Sequence, residues 1–285
     1  MSIKSIWNTN IKKLGMPTVT TGYFLLEYDN LRDAVKGKKF IDLEEYVKKM
    51  VEGKILILKN TLSKSITKKI KQNTQKFWAE NPSDFYKMYD DCPNFHRIID
   101  SSNSSNYSVD RIVHTSFFFP WNRDDLGVRD IIMDRWRVIK EFTGLKPKQY
   151  EGNIPSKGTC DRIQVVFYPP KYGLLETHSD PTHNQLTFVS GYLSTRGKSS
   201  HYKSGGLYAV DKSGSKIDLE NNIVEGDFAV GLASIQHGVA QIDPEYGGEL
   251  DWNGKRGRWL LGLYSNDSDH VIKRKTAIRS KNFKS

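Results

Sequence analysis

The spacing of apolar and polar positions changes character near residue 160. Before it, apolar residues recur at helical intervals. Leu43, Tyr46, Val47 and Met50 line one face of a predicted helix that ends near Gly53, with Asp42 and Glu45 placed as a capping box. Ile66, Ile70 and Phe77 mark a second helix, capped by Thr61 or Ser63, with Lys68, Lys69, Lys71 and Lys76 on its wet face. Ile131, Ile132, Trp136 and Ile139 mark a third, over 128–142, that Gly144 stops. The run Lys54-Ile55-Leu56-Ile57-Leu58 is a short strand of buried type. The stretch 90–122 is rich in Ser, Asn and aromatics and has no clear period. It predicts an irregular lid or substrate-facing loop, with Phe117, Phe118, Phe119 and Trp121 among its aromatics.

After residue 160 the texture is that of short strands. Candidates are 161–168, 174–180, 186–193, 206–210, 228–232, 235–242 and 258–264, separated by Pro, Gly, Ser and Asn turns. Many short strands without intervening helices predict a mainly β fold, a sandwich or jelly roll, with a helical N-terminal half. The division this suggests is a helical region 1–150 packed on the barrel, a β core 151–268, and a basic tail 269–285.

The β region carries the candidate chemistry. His178 and Asp180 are separated by one residue, so on a strand they project to the same side while Ser179 points away. Two imidazoles and a carboxylate hold ferrous iron on one face and leave positions open for substrate and oxygen. His237 is a candidate for the second imidazole, delivered from another strand. If Tyr168 faces the interior, alternation turns Gln164 and Arg162 inward as well. Inside a barrel such polar groups need a ligand, water or a partner. Both are therefore candidates for substrate contact, although Arg162 could equally sit at the rim paired with an acid. By the same rule Arg256 and Arg258 share a face.

From about Asp161 to Asn266 the chain resembles the iron(II)- and 2-oxoglutarate-dependent oxygenases, in particular the branch of plant enzymes and isopenicillin N synthase. The resemblance rests on Tyr168-Pro169-Pro170, His178-x-Asp180, Gly205-Gly206, Gly226-Asp227, His237, and Arg258 opening a late apolar strand. It implies a double-stranded β-helix with His178, Asp180 and His237 as ligands of Fe(II). Arg258 and Tyr168 would hold 2-oxoglutarate, with Arg256 in reserve; O2 is the second co-substrate. Arg162, Gln164, Arg256 and Trp121 are the candidates for contacting substrate. A guanidinium suits the distal carboxylate because its planar fork stays charged at any relevant pH. The implied reaction is hydroxylation, desaturation or cyclisation of a small molecule, with release of succinate and CO2. The sequence departs from the pattern at Leu260, where Ser or Thr is usual, and in the long interval between His237 and Arg258.

Composition adds boundaries. No segment approaches the ~18 apolar residues that cross a bilayer, and the first 15 residues lack the apolar run of a secretory signal. Cys92 and Cys160 are too few for a disulfide scaffold, which predicts a reducing cytoplasm that would keep iron ferrous. The net charge of +10 sits at the ends: residues 1–15 and 271–285 supply nine basic residues and no acid, leaving +1 between them. That distribution favours a solvated tail over a nucleic-acid surface. Two other classes stay open at this point. One is a non-oxidative cupin-like metal protein; the other is a nucleic-acid-directed oxygenase or binding protein using the basic tails.

Overall fold

A computed structural model describes residues 1–197 and 201–280. The described helices are α1 (Ile3–Leu14), α2 (Tyr28–Lys36), α3 (Phe40–Val51), α4 (Lys64–Glu80) and α5 (Arg129–Phe142). The strands are β1 (Gly22–Glu27), β2 (Lys54–Lys59), β3 (Phe95–Ile99), β4 (Arg111–Phe118), β5 (Thr159–Tyr168), β6 (Leu174–Ser179), β7 (Thr187–Tyr192), β8 (Gly206–Val210), β9 (Lys216–Asp218), β10 (Phe228–Leu232), β11 (His237–Ala240), β12 (Arg258–Asp267) and β13 (Ile278–Arg279).

The strands follow the order β1-β2-β10-β7-β12-β5-β4-β6-β11-β8-β9, with β3 added to β4 and β13 added to β6. Strand β4 is the seam. Its second half pairs with β5 and its start with β6, so one continuous ladder rolls from one wall of a jelly roll to the other. Strands β7, β8 and β10 are buried at every position, as strands become when a core lies on one face and other elements cover the second. The longest ladder joins β5 and β12 antiparallel from Arg258↔Tyr168 to Asp267↔Thr159. It runs the depth of the barrel and fixes which side chains share a level.

The front half carries the five helices, as expected, and β2 where a strand is expected, and it adds strands that the pattern does not mark. It contributes β1 and β2, which extend the sheet through β2↔β10, and also β3 and β4. The stretch 90–122 carries two strands, Phe95–Ile99 and Arg111–Phe118, joined by irregular chain: Phe118 lies in the main core, while Phe119 joins Met88, Cys92 and Phe95 in a small satellite cluster against which Phe117 and Trp121 pack. The aromatic residues that suggest a lid are strand and cluster residues whose burial, not exposure, selects them. Helix α3 starts at Phe40, with Lys39 at its cap, rather than behind Asp42, and no side chain caps it. Helix α4 does use Ser63, whose hydroxyl accepts from the Ile66 N–H. Helix α1, which no periodic pattern marks, is set by a Ser2–Ser5 capping box and by Trp7, whose indole donates to the Phe142 carbonyl at 2.6 Å.

Two further expectations need correction. The basic end is not a free tail as far as Ser280: β13 pairs with β6, and Arg279 bridges Asp110 and Glu176. Lys281 and Lys284 lie outside the described residues. His183 and His201 both sit in polar loop sequence, which predicts exposure: His183 is exposed and bonded to Asp267 at 2.9 Å, whereas His201 is half-buried and accepts from the Thr195 N–H at 3.0 Å. Both cysteines are buried thiols, pushed by that burial up to about 12.

Candidate metal centre

His178 is the penultimate residue of β6 and His237 the first of β11, and the antiparallel register sets them directly opposite one another. Their rings lie 4.4 Å apart. The ladder slips between His237 and Val239, an irregularity of the kind that re-aims a side chain at a site. Asp180 leaves the end of β6, where its N–H donates to the Ala233 carbonyl at 2.8 Å in the turn before β11. Its carboxylate then reaches both rings, 3.8 Å from His178 Nε2 and 3.6 Å from His237 Nε2. The three ligating atoms all lie within 4.8 Å of one another. Ligands ~2.0–2.2 Å from a common ion at angles of 90–110° would be roughly 3.0–3.5 Å apart, so the set needs little contraction.

The ring orientation is determined by the outer hydrogen bonds. Nδ1 of His178 lies 2.8 Å from the Glu176 carbonyl, and Nδ1 of His237 lies 2.9 Å from the Ile235 carbonyl. A carbonyl can only accept, so each Nδ1 carries the hydrogen and each Nε2 presents a lone pair toward Asp180. Burial, reinforced by the neighbouring His237, lowers the His178 pKa to about 4, which keeps the ring neutral and available as a ligand near pH 7. Both rings are nearly buried, whereas Asp180 is 20% exposed, so the open side of the cluster faces the cleft beyond the carboxylate. That cleft is lined by Asp180, Tyr264, Asn266, Asp267 and Lys275.

A second polar cluster lies at the other end of the β5–β12 ladder. Arg258 is 0% exposed, and its Nε and Nη2 donate to the two oxygens of Glu220 at 2.8 and 3.3 Å. Tyr202 and the Leu207 N–H also donate to Glu220, so that carboxylate is fully used. Gly206 makes room for it: a Cβ there would meet the Glu220 carboxyl carbon at 2.5 Å, and its φ of +116° suits only glycine. Burial alone would lower the Arg258 pKa; the adjacent Glu220 overrides it and holds the guanidinium charged. Two buried donors remain unspent here, Nη1 of Arg258 and the hydroxyl of Tyr192. The Tyr168 and Tyr192 rings flank the guanidinium at 5.2 and 5.0 Å.

The remaining candidates fall in different places. Arg162 and Gln164 do share the inner face: Arg162 Nη2 donates to Gln164 Oε1 at 3.1 Å, and Gln164 donates to Thr115 at 2.8 Å. Arg256 stands outside the Arg258 cluster, where it contacts Asp243 at 3.3 Å. Trp121 stacks on Phe119 and donates to the Cys92 carbonyl. Sequence reasoning missed Glu220, Tyr192, Tyr202 and Arg111. Tyr192 is legible in part, since it ends a strand that the pattern marks, but only the register shows it opposite Leu260.

No family model and no curated protein matches the sequence. Solved structures do match. Full-length Neurospora crassa thymine 7-hydroxylase in complex with alpha-KG and 5-formyluracil is 12% identical, with 90% of this chain and 93% of that one covered at a TM-score of 0.52. The same protein with alpha-KG alone aligns over 86% and 85% at 0.51, again at 12% identity. A Pseudomonas putida prolyl-4-hydroxylase is 15% identical over 74% and 91% at 0.47. The fold is that of the thymine 7-hydroxylase structures. Among the described residues no helix is long and apolar enough to cross a membrane.

Proposed function

We propose that this protein is an iron(II)- and 2-oxoglutarate-dependent oxygenase that oxidises a C–H bond of a small molecule, with hydroxylation as the default outcome and succinate and CO2 as co-products. The observation that carries the reading is the pair of imidazoles whose Nδ1 atoms are tied to carbonyls, so that both Nε2 lone pairs converge with the Asp180 carboxylate. Iron held there would supply oxygen activation coupled to decarboxylation of the keto acid.

This chain's own part is binding, orientation and exclusion of water. His178, Asp180 and His237 would hold the ion and leave room for the co-substrate. Arg258 and Tyr192 fit the distal carboxylate of 2-oxoglutarate, because Nη1 and the tyrosine hydroxyl are the two buried donors of this cluster without partners. This fit also accounts for Leu260, which stands where the family has Ser or Thr. Tyr192 lies opposite Leu260 in the β7–β12 register and offers a hydroxyl from the neighbouring strand. Tyr168 contributes its ring against the guanidinium. Glu220 is a positioning residue: by taking one edge of Arg258 it turns the other toward the ligand. The thymine 7-hydroxylase structures that share the fold contain alpha-KG, which supports the choice of co-substrate.

The charge pattern supports a small substrate over a nucleic acid. Arg274 and Arg279 of the basic end are spent on Asp269, Asp110 and Glu176. The test is succinate release by purified protein given Fe(II), O2 and 2-oxoglutarate with no added substrate. Slow, metal-dependent release is expected. Metal binding with neither 2-oxoglutarate affinity nor succinate release would assign the protein to the non-oxidative cupin-like class.

A further inference from the structure

Arg162 is a half-buried cation without a carboxylate. It lies on the inner face of β5, its Nε is buried with no hydrogen-bond partner, and its Nη2 donates only to the neutral Gln164. Phe117 and Tyr264 flank it at 5.0 and 5.5 Å. Tyr264 is its register partner on β12 and lines the same cleft as Asp180, so the guanidinium belongs to the metal end of the barrel. Burial, and then the like charge of Arg274, lower its pKa to about 10, which leaves it charged at neutral pH.

Arg111 adds a second cation. From the first position of β4 its Nε donates to the Val109 carbonyl at 3.1 Å, and it stacks on Tyr107 at 5.3 Å. Its charge is felt by Arg162, His178 and Tyr264 alike. Among the described residues no carboxylate comes within 4.0 Å of either guanidinium, whereas Arg274 and Arg279 nearby are both paired. A buried Nε without a partner is costly, so the half-buried Arg162 guanidinium is one that a ligand completes.

We infer that the oxidised substrate is an anion, a carboxylate or a phosphate monoester, whose charged group is bound by Arg162 and Arg111 between Phe117 and Tyr264. The inference rests on the oxygenase reading for what happens to the substrate, but not for the binding itself. Charge neutrality points the same way. A divalent ion, the Asp180 carboxylate and a dicarboxylate co-substrate total minus one; Arg162 and Arg111 bring the centre to plus one, which a carboxylate takes to neutrality and a phosphate dianion to minus one. The planar fork of Arg162 selects an oxyanion over a neutral amide or alcohol.

The test uses full-length protein loaded anaerobically with Mn(II) and 2-oxoglutarate, with melting temperature as the readout. The probes are phenylacetate and phenyl phosphate, each beside its neutral partner, phenylacetamide and phenol. At least one acid should raise the melting temperature well beyond its neutral partner, and the two acids separate a carboxylate site from a phosphate site. Arg162→Met should weaken that acid at least roughly tenfold while the shift given by 2-oxoglutarate is kept. Arg111→Met should weaken it independently, and the metal-free Arg162→Met protein should melt no lower than wild type, because a buried Nε without a partner has been removed. Equal shifts from acids and neutral partners would overturn the proposal, as would acid binding that survives both variants. Loss of the 2-oxoglutarate shift in Arg162→Met would also overturn it, reassigning Arg162 to the co-substrate. If wild type binds the acids but shows no 2-oxoglutarate shift and no succinate, the oxygenase reading fails while the anion site stands.

Discussion

Tyr192→Phe should act with opposite signs on the free protein and on its complex. The side chain is 1% exposed and its hydroxyl has no hydrogen-bond partner, so the folded protein bears the desolvation of that group. A buried unsatisfied hydroxyl costs about 1–3 kcal/mol, and phenylalanine removes it without leaving a hole of any size. The ring 5.0 Å from the Arg258 guanidinium is retained. The metal-free variant should therefore be as stable as wild type or more so, by up to about 2 kcal/mol. Burial holds the hydroxyl protonated far above the ordinary phenol range, so in the complex it acts as a donor to a carboxylate. Losing a hydrogen bond to a charged group, about 1.5–3 kcal/mol, weakens 2-oxoglutarate roughly tenfold to a hundredfold. Urea unfolding of the metal-free proteins measures the first effect, and anaerobic calorimetry with Mn(II) measures the second. A clear loss of stability would mean that the hydroxyl already has a partner. Unchanged affinity for 2-oxoglutarate would remove Tyr192 from the co-substrate site.

His237→Ala should abolish retention of Fe(II) or Mn(II) through dialysis, by more than the roughly tenfold to hundredfold that follows loss of an outer-sphere partner, with the circular dichroism of the fold kept; metal analysis decides it, and full retention would dissolve the proposed centre. Arg258→Lys keeps a cation for Glu220 but removes the Nη1 fork, so the Michaelis constant for 2-oxoglutarate should rise at least about tenfold while metal affinity is unchanged. Arg256→Ala, at the Asp243 contact, should leave that constant alone, and the reverse pattern would move the assignment by two residues. His114, stacked on Trp78 at 3.6 Å and bonded to His96, is pushed by burial down to about 3, and burial lowers His96 as well. A histidine whose pKa falls on folding contributes stability that is full above about 6.5 and is lost as pH drops toward 3, at about 1.4 kcal/mol per pH unit for each such group. Unfolding free energy should thus decline from pH 6.5 to 4.5; an NMR titration showing His114 protonated near pH 6.5 in the folded state would contradict it.

The β core was legible because short apolar runs set off by Gly, Pro, Ser and Asn turns mark strands even where both faces are covered: the predicted strands 206–210 and 228–232 match β8 and β10 at both ends. The His178–Asp180 pair was legible because one strand step carries both ligands to one side. Strands β1, β3 and β4 were not, since their pairing partners lie far along the chain and their own sequences mix polar and apolar positions without strict alternation. Cross-strand partnerships were invisible in principle. Glu220 behind Arg258, Tyr192 opposite Leu260 and Arg111 beside Arg162 come from separate segments, and no spacing rule links them. The Gly205-Gly206 pair was visible as a motif, but its reason, clearance for a carboxylate, needed the packed structure.

Trp78 of α4 and Trp259 of β12 are stacked with 5.0 Å between ring centres and an interplanar angle of 11°. Trp259 follows Arg258 directly, with its indole on the opposite face of the strand. Two indoles this close and nearly parallel absorb as a coupled pair, and such a pair gives a near-ultraviolet circular dichroism band that depends steeply on their separation and tilt. The chain thus carries an optical gauge whose one arm is the backbone neighbour of the proposed carboxylate anchor. Occupation of the Arg258 cluster can be followed through that band with no label, no turnover and no oxygen, and Trp78→Phe supplies the blank.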